Sequence, residues 1–184
     1  MRWLRAEGPR YVAPRWERAL EWDRTCALTI NRSLAARYEK LWIAVDRLGD
    51  CWTWLAVIAL VALLGGRLGP ICAVHMFGAG VCAVICYKLI KHSACRARPC
   101  VDVSGVRRCA DPLDEWSFPS GHVLHAVAFS TIAMAYYPAL ALVFLPFLVL
   151  MGVSRIALGL HYPTDVLAGA AIGAAIAVGS LAFV

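Results

Sequence analysis

The stretch PTDVLAGAAIGAAIAVGSLAFV, residues 163–184, holds one acidic residue near its start and is otherwise almost entirely apolar or small. About 20 apolar residues in a helix span the hydrocarbon core of a membrane, so this stretch predicts a transmembrane helix. Gly169 and Gly173 within it form a GxxxG pair, which permits close helix contact. We expect that contact inside one bundle rather than between two copies of the chain.

Four further apolar segments precede this one, at residues 50–68, 70–89, 122–137 and 139–158. The overall composition agrees with a membrane protein, because 61% of the 184 residues are hydrophobic and only 16% are charged. Soluble domains are nearer one half and one quarter. The sequence therefore predicts an all-α integral membrane bundle of about five transmembrane helices, formed by one domain over residues 50–184.

The N-terminal region, residues 1–49, is mixed and basic instead. Apolar residues such as Leu20, Ala27 and Leu34 recur at helical spacing. Charged residues such as Arg24 and Arg32 are costly at bilayer depth, which argues against a lipid-crossing helix. We predict one or two amphipathic helices lying in the membrane interface; a solvated helical cap on the bundle is the alternative.

The formal charge of +6 arises from 18 Lys and Arg against 12 Asp and Glu. Because the basic residues lie outside the apolar runs, the expected partners are membrane lipids or an anionic substrate, and not nucleic acid. Eight cysteines are present without a CxxC pair, so no zinc site is predicted. Cys100 and Cys109 share a polar loop, and they can be bridged in an oxidising compartment or remain free thiols in a reducing one.

Three short motifs carry the chemistry. The first is Lys91 followed after six residues by Arg98-Pro99, and the second is Pro119-Ser120-Gly121-His122. The third is Ser154-Arg155, followed after five residues by His161 and then by Asp165. If all five apolar segments cross the membrane, the loops alternate between its two sides, and all three motifs fall on the same side.

The motifs contain the groups that bind a phosphoryl group. Arg98 and Arg155 offer planar paired donors to anionic oxygens, and Lys91 offers a compact charge. Ser120 is a favoured residue at a helix start, and Gly121 lets the backbone approach a ligand closely. The free amides and the dipole of that helix end also attract anions.

The motifs also contain a nucleophile and an acid. Asp165, four residues after His161, can accept a proton from one imidazole nitrogen and leave the other free to attack. His122 can then protonate the leaving oxygen and later activate water. We expect His125 to serve packing. Arg96 is expected to face either the site or solvent. We expect a solvated loop rather than a metal cluster at Asp111, Asp114 and Glu115.

This pattern resembles the type 2 phosphatidic acid phosphatase superfamily, which includes the vanadium-dependent haloperoxidases. The chain matches the family pattern at every fixed position; this pattern is Lys-x6-Arg-Pro, then Pro-Ser-Gly-His, then Ser-Arg-x5-His-x3-Asp. The resemblance covers about residues 50–184. The resemblance implies a helical bundle, metal- and cofactor-free phosphate ester hydrolysis, and a phosphohistidine on His161. It implies leaving-group protonation by His122. The implied phosphate ligands are Lys91, Arg98, Ser120, Gly121 and Arg155. Membrane members usually have six spans, one more before the first motif than is found here.

Several functions share these residues. The first is a membrane phosphatase acting on undecaprenyl diphosphate, phosphatidylglycerol phosphate, phosphatidic acid or the lipid A 1-phosphate. A lipid phosphotransferase would use the same intermediate. A vanadate-dependent haloperoxidase would use the same anion-binding residues to hold vanadate. A non-enzymatic lipid-binding protein is disfavoured because all the catalytic groups are present. The positive-inside rule favours a cytoplasmic site, whereas the resemblance implies a bacterial inner-membrane protein whose site faces the periplasm or exterior.

Overall fold

The chain folds into a helical bundle, and the computed structural model describes residues 14–183, with side chains from residue 19 onward except at position 36. The α-helices are α1 (Pro14–Ile30), α2 (Ala36–Arg47), α3 (Cys51–Leu64), α4 (Gly69–Ala94), α5 (Pro99–Asp102), α6 (Gly121–Tyr136), α7 (Ala141–Ala157) and α8 (Pro163–Leu181). A π-helical turn (Asn31–Ala35) joins α1 to α2, and 3-10 turns (Gly66–Leu68 and Pro138–Leu140) precede α4 and α7. The described residues contain no strand, which confirms the all-α prediction.

Several of these helices are long and apolar enough to cross a membrane. They fall at Gly66–Asp102, Pro138–Ala157 and Pro163–Leu181. A fourth candidate is the pair Arg37–Arg47 and Cys51–Leu64, which is bent by 51°. The remaining predicted span, α6, has only 16 residues. It packs against α4, α7 and α8, so it lies inside the bundle.

Helices α6 and α8 approach each other at the small residues of the GxxxG pair. A Cβ atom at Gly169 would meet the carbonyl oxygen of Ser120, and one at Gly173 would overlap the carbonyl oxygen of Leu124. The two glycines therefore let the backbones of α6 and α8 touch within one chain, as predicted. This contact fixes the start of α6, which carries the second motif, against the start of α8, which carries the third.

The apolar core centres on Trp54 of α3, whose side chain is buried. Its ring centroid lies 5.0 Å from that of Phe129 on α6, and 6.2 Å and 6.0 Å from those of Phe144 and Phe147 on α7. An aromatic pair at such distances contributes about 0.5–1.5 kcal/mol beyond simple burial. This cluster ties α3, α6 and α7 together beneath the polar loops.

The N-terminal segment is helical and packs across one end of the bundle. Asn31, fully buried in the π-helical turn, donates to the carbonyl oxygens of Arg107 and Ala157 and accepts from the amide of Arg107. These bonds hold the segment to the loop before α6 and to the end of α7. Its placement in a membrane interface stays a prediction, and residues 1–13 and 184 lie outside the described residues.

Candidate active site

The three motifs meet at the same end of the bundle, beneath the N-terminal segment. A cavity of about 510 Å³ opens there. Its polar end is lined by Lys91, Arg98, Gly121, His122, Arg155 and His161. The structure thus brings together both predicted histidines and all three predicted cations, although they come from four separate parts of the chain.

His161 lies in the turn between α7 and α8 and is 1% exposed. Its Nδ1 atom is 3.6 Å from Oδ2 of Asp165, which is longer than a hydrogen bond, and it has no other partner among the described residues. Its Nε2 atom is 3.3 Å from Nη1 of Arg98. An arginine can only donate, so the Nε2 lone pair faces the cations and Nδ1 faces the carboxylate. This is the orientation that a histidine nucleophile requires.

The electrostatic surroundings keep His161 neutral. Burial lowers its pKa well below the ordinary value, and the positive charges of Arg155, Arg98, Lys91 and His122 lower that pKa further. A neutral imidazole retains the lone pair that attacks phosphorus, so His161 is ready to react at neutral pH.

His122 occupies the first turn of α6 and reaches the cavity from the other side. Its Nε2 atom is 3.1 Å from Oδ1 of Asp50, the residue that precedes α3. The Asp50 side chain is 42% exposed. A carboxylate at this distance orients the ring and opposes the lowering of the His122 pKa that burial causes.

Two of the three cations share one carboxylate, that of Asp114. Its Oδ1 atom lies 2.6 Å from Nζ of Lys91 and 2.7 Å from Nη2 of Arg98. The backbone carbonyl of Asp114 also accepts from Arg98, at 3.0 Å and 3.2 Å. Asp114 was expected in a solvated loop; its side chain is 37% exposed, and it also pairs with two buried cations of the site.

The third cation, Arg155, is 3% exposed and pairs with Asp46 of α2 through Nη1. Its Nε atom is buried and has no hydrogen-bond partner among the described residues. A buried unpartnered donor is costly and rare in folded proteins. Arg155 also lines the cavity.

Ser120 and Gly121 form the start of α6, as the second motif predicted. Ser120 occupies the cap position, but its hydroxyl makes no capping bond and, like Nε of Arg155, is buried without a partner in the described part of the chain. Its amide donates to the carbonyl oxygen of Asp165, at 3.0 Å. A Cβ atom at Gly121 would make only ordinary contacts, with the ring of Tyr87. The packing of the described residues therefore does not require glycine here.

The cavity continues from its polar end between apolar helix faces. Its apolar wall comprises Trp54, Leu55 and Ile58 of α3, Phe77, Val81, Val84 and Ile85 of α4, and Phe129 of α6. One compartment thus joins a cluster of cations to a hydrophobic slot. Such a shape fits an amphiphile with an anionic head.

A sequence model of the PAP2 superfamily matches residues 71–184, which hold all three motifs. The chain belongs to the PAP2 superfamily. Over 130 residues it is 36% identical to the decaprenylphosphoryl-5-phosphoribose phosphatase of Mycobacterium tuberculosis, covering 68% of each chain. Over 58 residues it is 40% identical to the lipid A 1-phosphatase of Rhizobium johnstonii. That match covers 32% of this chain and only 24% of the relative.

Two solved PAP2 structures share the fold. The phosphatidylglycerolphosphate phosphatase of Bacillus subtilis superposes with a TM-score of 0.74 at 21% identity, covering 90% of this chain and 86% of that one. LpxE of Aquifex aeolicus superposes with a TM-score of 0.76 at 22% identity, covering 89% of this chain and 94% of that one. The resemblance inferred from the motifs is confirmed, and so is the membrane bundle.

Motif reasoning missed several polar residues of this PAP2 site. Asp46, Asp50 and Asp114 each pair with a motif residue, and each lies far from its partner in sequence. No spacing rule connects them, so only the fold reveals the pairs. Arg96, whose orientation the sequence left open, donates to Asp165 at 2.6 Å.

His125 lies one turn after His122, and its Nδ1 atom donates to the Gly121 carbonyl oxygen, at 2.8 Å. Its ring packs 5.5 Å from that of Tyr87 and 5.7 Å from that of Phe129. The packing role expected for His125 matches these contacts. Cys100 and Cys109 are free thiols in the described part of the chain.

Proposed function

We propose that this PAP2 chain is a metal-independent membrane phosphatase that hydrolyses a lipid phosphate or diphosphate through a phosphohistidine on His161. The observation that carries the proposal is the orientation of His161. Its Nε2 atom points at the cations and its Nδ1 atom at Asp165, beside a cavity that His122 also lines.

In the first step, Nε2 of His161 attacks phosphorus while Lys91, Arg98 and Arg155 bind the phosphoryl oxygens. The Gly121 amide and the Ser120 hydroxyl offer further donors. An N–P bond forms as the P–O bond to the leaving group breaks, and His122 gives its proton to the leaving oxygen. Asp165 stabilises the imidazole, whose Nδ1 proton stays on the ring.

In the second step, water attacks the phosphohistidine. His122, now neutral, takes a proton from that water as the new P–O bond forms and the N–P bond breaks. Inorganic phosphate leaves and both histidines return to their starting states. The cations act in both steps by stabilising the charge on the equatorial oxygens.

The apolar slot supports a lipid substrate, because it can take the hydrophobic tail while the headgroup reaches the cations. The candidate lipids are undecaprenyl diphosphate, phosphatidylglycerol phosphate, phosphatidic acid and the lipid A 1-phosphate. The similarity to the mycobacterial enzyme adds decaprenylphosphoryl-5-phosphoribose. Release of inorganic phosphate from each lipid, by protein purified in detergent, identifies the preferred one. Analysis of products with added acceptors separates hydrolysis from phosphotransfer.

The test of the mechanism is His161→Ala. Without its nucleophile the protein should lose about 1,000-fold or more in kcat, and wild-type protein should yield an acid-labile phosphoenzyme that the variant lacks. His92→Ala is the matched control, since His92 is an exposed histidine beside Lys91. EDTA should leave the wild-type rate unchanged. Turnover by His161→Ala near the wild-type rate would refute the proposal.

For localisation we propose a multi-pass protein of the bacterial inner membrane whose site faces the periplasm. Cys95, an exposed thiol at the site end of α4, reports on this. A membrane-impermeant maleimide added to spheroplasts should label Cys95 when it is the sole cysteine. Labelling only after lysis would place the site in the cytoplasm.

A further inference from the structure

A buried carboxylate outside the three motifs points directly at the catalytic end of α8. Asp23, on α1, is 1% exposed. It lies before the region that the superfamily model matches. Removing a carboxylate from water costs several kcal/mol unless it is paired and hydrogen-bonded.

Among the described residues, the hydrogen-bond partners of Asp23 all lie next to Asp165. Its Oδ2 atom is 2.6 Å from Nη2 of Arg96 and also accepts from the Thr164 hydroxyl. Its Oδ1 atom accepts from the Thr164 amide at 3.1 Å. Asp23 therefore binds the residue directly before Asp165 and the arginine that holds Asp165.

Arg96 links the two carboxylates. Its Nη1 atom donates to Oδ1 of Asp165 at 2.6 Å and to the Thr164 hydroxyl at 2.8 Å. Its guanidinium lies 4.0 Å from the ring centroid of Tyr162. The amide of Tyr162 donates to Oδ2 of Asp165 at 2.8 Å. Both Asp165 oxygens are thus fixed, and Oδ2 is the one that faces His161.

We propose that Asp23 and Arg96 are positioning residues of the catalytic site, acting on His161 through Asp165. The inference rests on the proposed function, since it assumes that Asp165 orients the nucleophile. Arg96 prevents the Asp165 carboxylate from rotating away from Nδ1 of His161. Asp23 and Asp165 both pair with Arg96, so this group of two carboxylates and one guanidinium carries a net negative charge. Asp165 therefore keeps its attraction for the imidazole N–H.

This assignment gives the N-terminal helix α1 a part in the reaction. The cavity that His161 lines is shared with the cations Lys91, Arg98 and Arg155 and with His122. Asp114 and Asp46 pair with those cations. Oδ2 of Asp165 lies 3.6 Å from Nδ1 of the His161 ring. A loss of negative charge behind Asp165 is therefore not compensated by another carboxylate at His161, and it should weaken the nucleophile.

The test is Asp23→Asn, which keeps the shape and one acceptor oxygen but removes the charge. With full-length protein in detergent and dioctanoyl phosphatidic acid as substrate, kcat should fall about tenfold, as for other outer partners of catalytic groups. KM should change less than about twofold, because no phosphate ligand is touched. Arg24→Ala is the control on the same helix, since it removes only the more exposed ion pair with Asp102, and its kcat should stay within about twofold of wild type.

A double-mutant cycle with Asp165→Asn separates positioning from general stability. If Asp23 acts through Asp165, adding Asp23→Asn to that background should change kcat less than about twofold. An equal loss in both backgrounds, or wild-type kcat in Asp23→Asn, would overturn the inference. Should Asp23→Asn not fold, Arg96→Lys tests the same link, because a lysine cannot bridge both carboxylates as a guanidinium does; unchanged kcat there would also overturn it.

The two proposals fail in different ways. An active His161→Ala would remove the proposed nucleophile and with it the basis for positioning. An inactive His161→Ala together with normal kcat in Asp23→Asn would leave the phosphatase mechanism standing and reject only the role of α1.

Discussion

At the scale of single residues, each cation expected to bind phosphate already pairs with a carboxylate of its own chain. Asp114 contacts Lys91 and Arg98, and Asp46 contacts Arg155. These pairings stabilise cations that are buried in the absence of substrate. They also mean that an incoming phosphate competes with internal anions for the same donors.

Asp114→Asn should therefore strengthen the binding of phosphate analogues. The asparagine keeps the size of the side chain but no longer competes as an anion for Lys91 and Arg98. Inhibition by vanadate should occur at about tenfold lower concentration, equivalent to about 1.4 kcal/mol. The measurement is the vanadate inhibition constant against hydrolysis of dioctanoyl phosphatidic acid.

The matched control is Asp111→Asn on the same loop. The Asp111 side chain is 95% exposed and pairs only with Arg108, so vanadate inhibition should not change. An Asp114→Asn protein with unchanged or weaker vanadate inhibition would show that Asp114 orients the cations and does not compete with the ligand.

At the scale of helices, the contact between α6 and α8 sets the distance between the two histidines that are proposed to be catalytic. His122 is in the first turn of α6, and His161 comes just before α8. The two backbones approach at Gly169 and Gly173, where a Cβ atom would meet carbonyl oxygens of α6. Any side chain there must push the helices apart.

Gly173→Ala should lower both stability and activity. The added methyl overlaps the Leu124 carbonyl, a rigid backbone group, so the helices must shift. Overpacking of this kind costs about 1–3 kcal/mol. The measurements are the thermal unfolding midpoint in detergent and kcat.

Gly179→Ala on the same helix is the control, because a Cβ atom there would meet no described atom within 4 Å. It should be neutral or slightly stabilising, since alanine favours a helix. Equal effects of the two substitutions would mean that helix propensity, and not the α6–α8 contact, governs this region.

The helix boundaries show what hydropathy can predict. The second apolar segment was predicted to end at residue 89, but α4 continues to Ala94 and includes Lys91 in its last turn. Hydropathy marks where hydrocarbon ends, whereas a helix continues for as long as its backbone bonds and packing allow. The extra turn is what carries Lys91 into the cavity.

At the scale of the whole molecule, one cavity joins the charged end of the bundle to an apolar slot between α3, α4 and α6. Val84 on α4 lines this slot, about two helical turns before Lys91. A larger residue there should obstruct a lipid tail without touching the headgroup site. The slot thus separates recognition of the tail from the chemistry.

Val84→Trp should raise KM for dioctanoyl phosphatidic acid about tenfold, because the lost contacts of a few methylene groups are worth about 0.8 kcal/mol each. Hydrolysis of p-nitrophenyl phosphate, which has no tail, should change less than about twofold by the same reasoning. The measurement is the ratio of kcat/KM for the two substrates. Val149→Trp, on an exposed face of α7 outside the cavity, is the control. If Val84→Trp lowered kcat/KM equally for both substrates, the slot would be rejected as the site of the lipid tail.

The sequence by itself determined the membrane class, the superfamily and the motif residues, because hydropathy and fixed spacing are local properties of the chain. The two predicted histidines and the three predicted cations line one cavity: Lys91, Arg98, His122, Arg155 and His161. The catalytic roles assigned to them stay predictions. Only the tertiary structure placed Asp46, Asp50 and Asp114 beside these residues, and Asp23 beside Arg96. Their pairings join positions far apart in the chain, and a buried charge takes whichever partner the packing of the helices brings within reach.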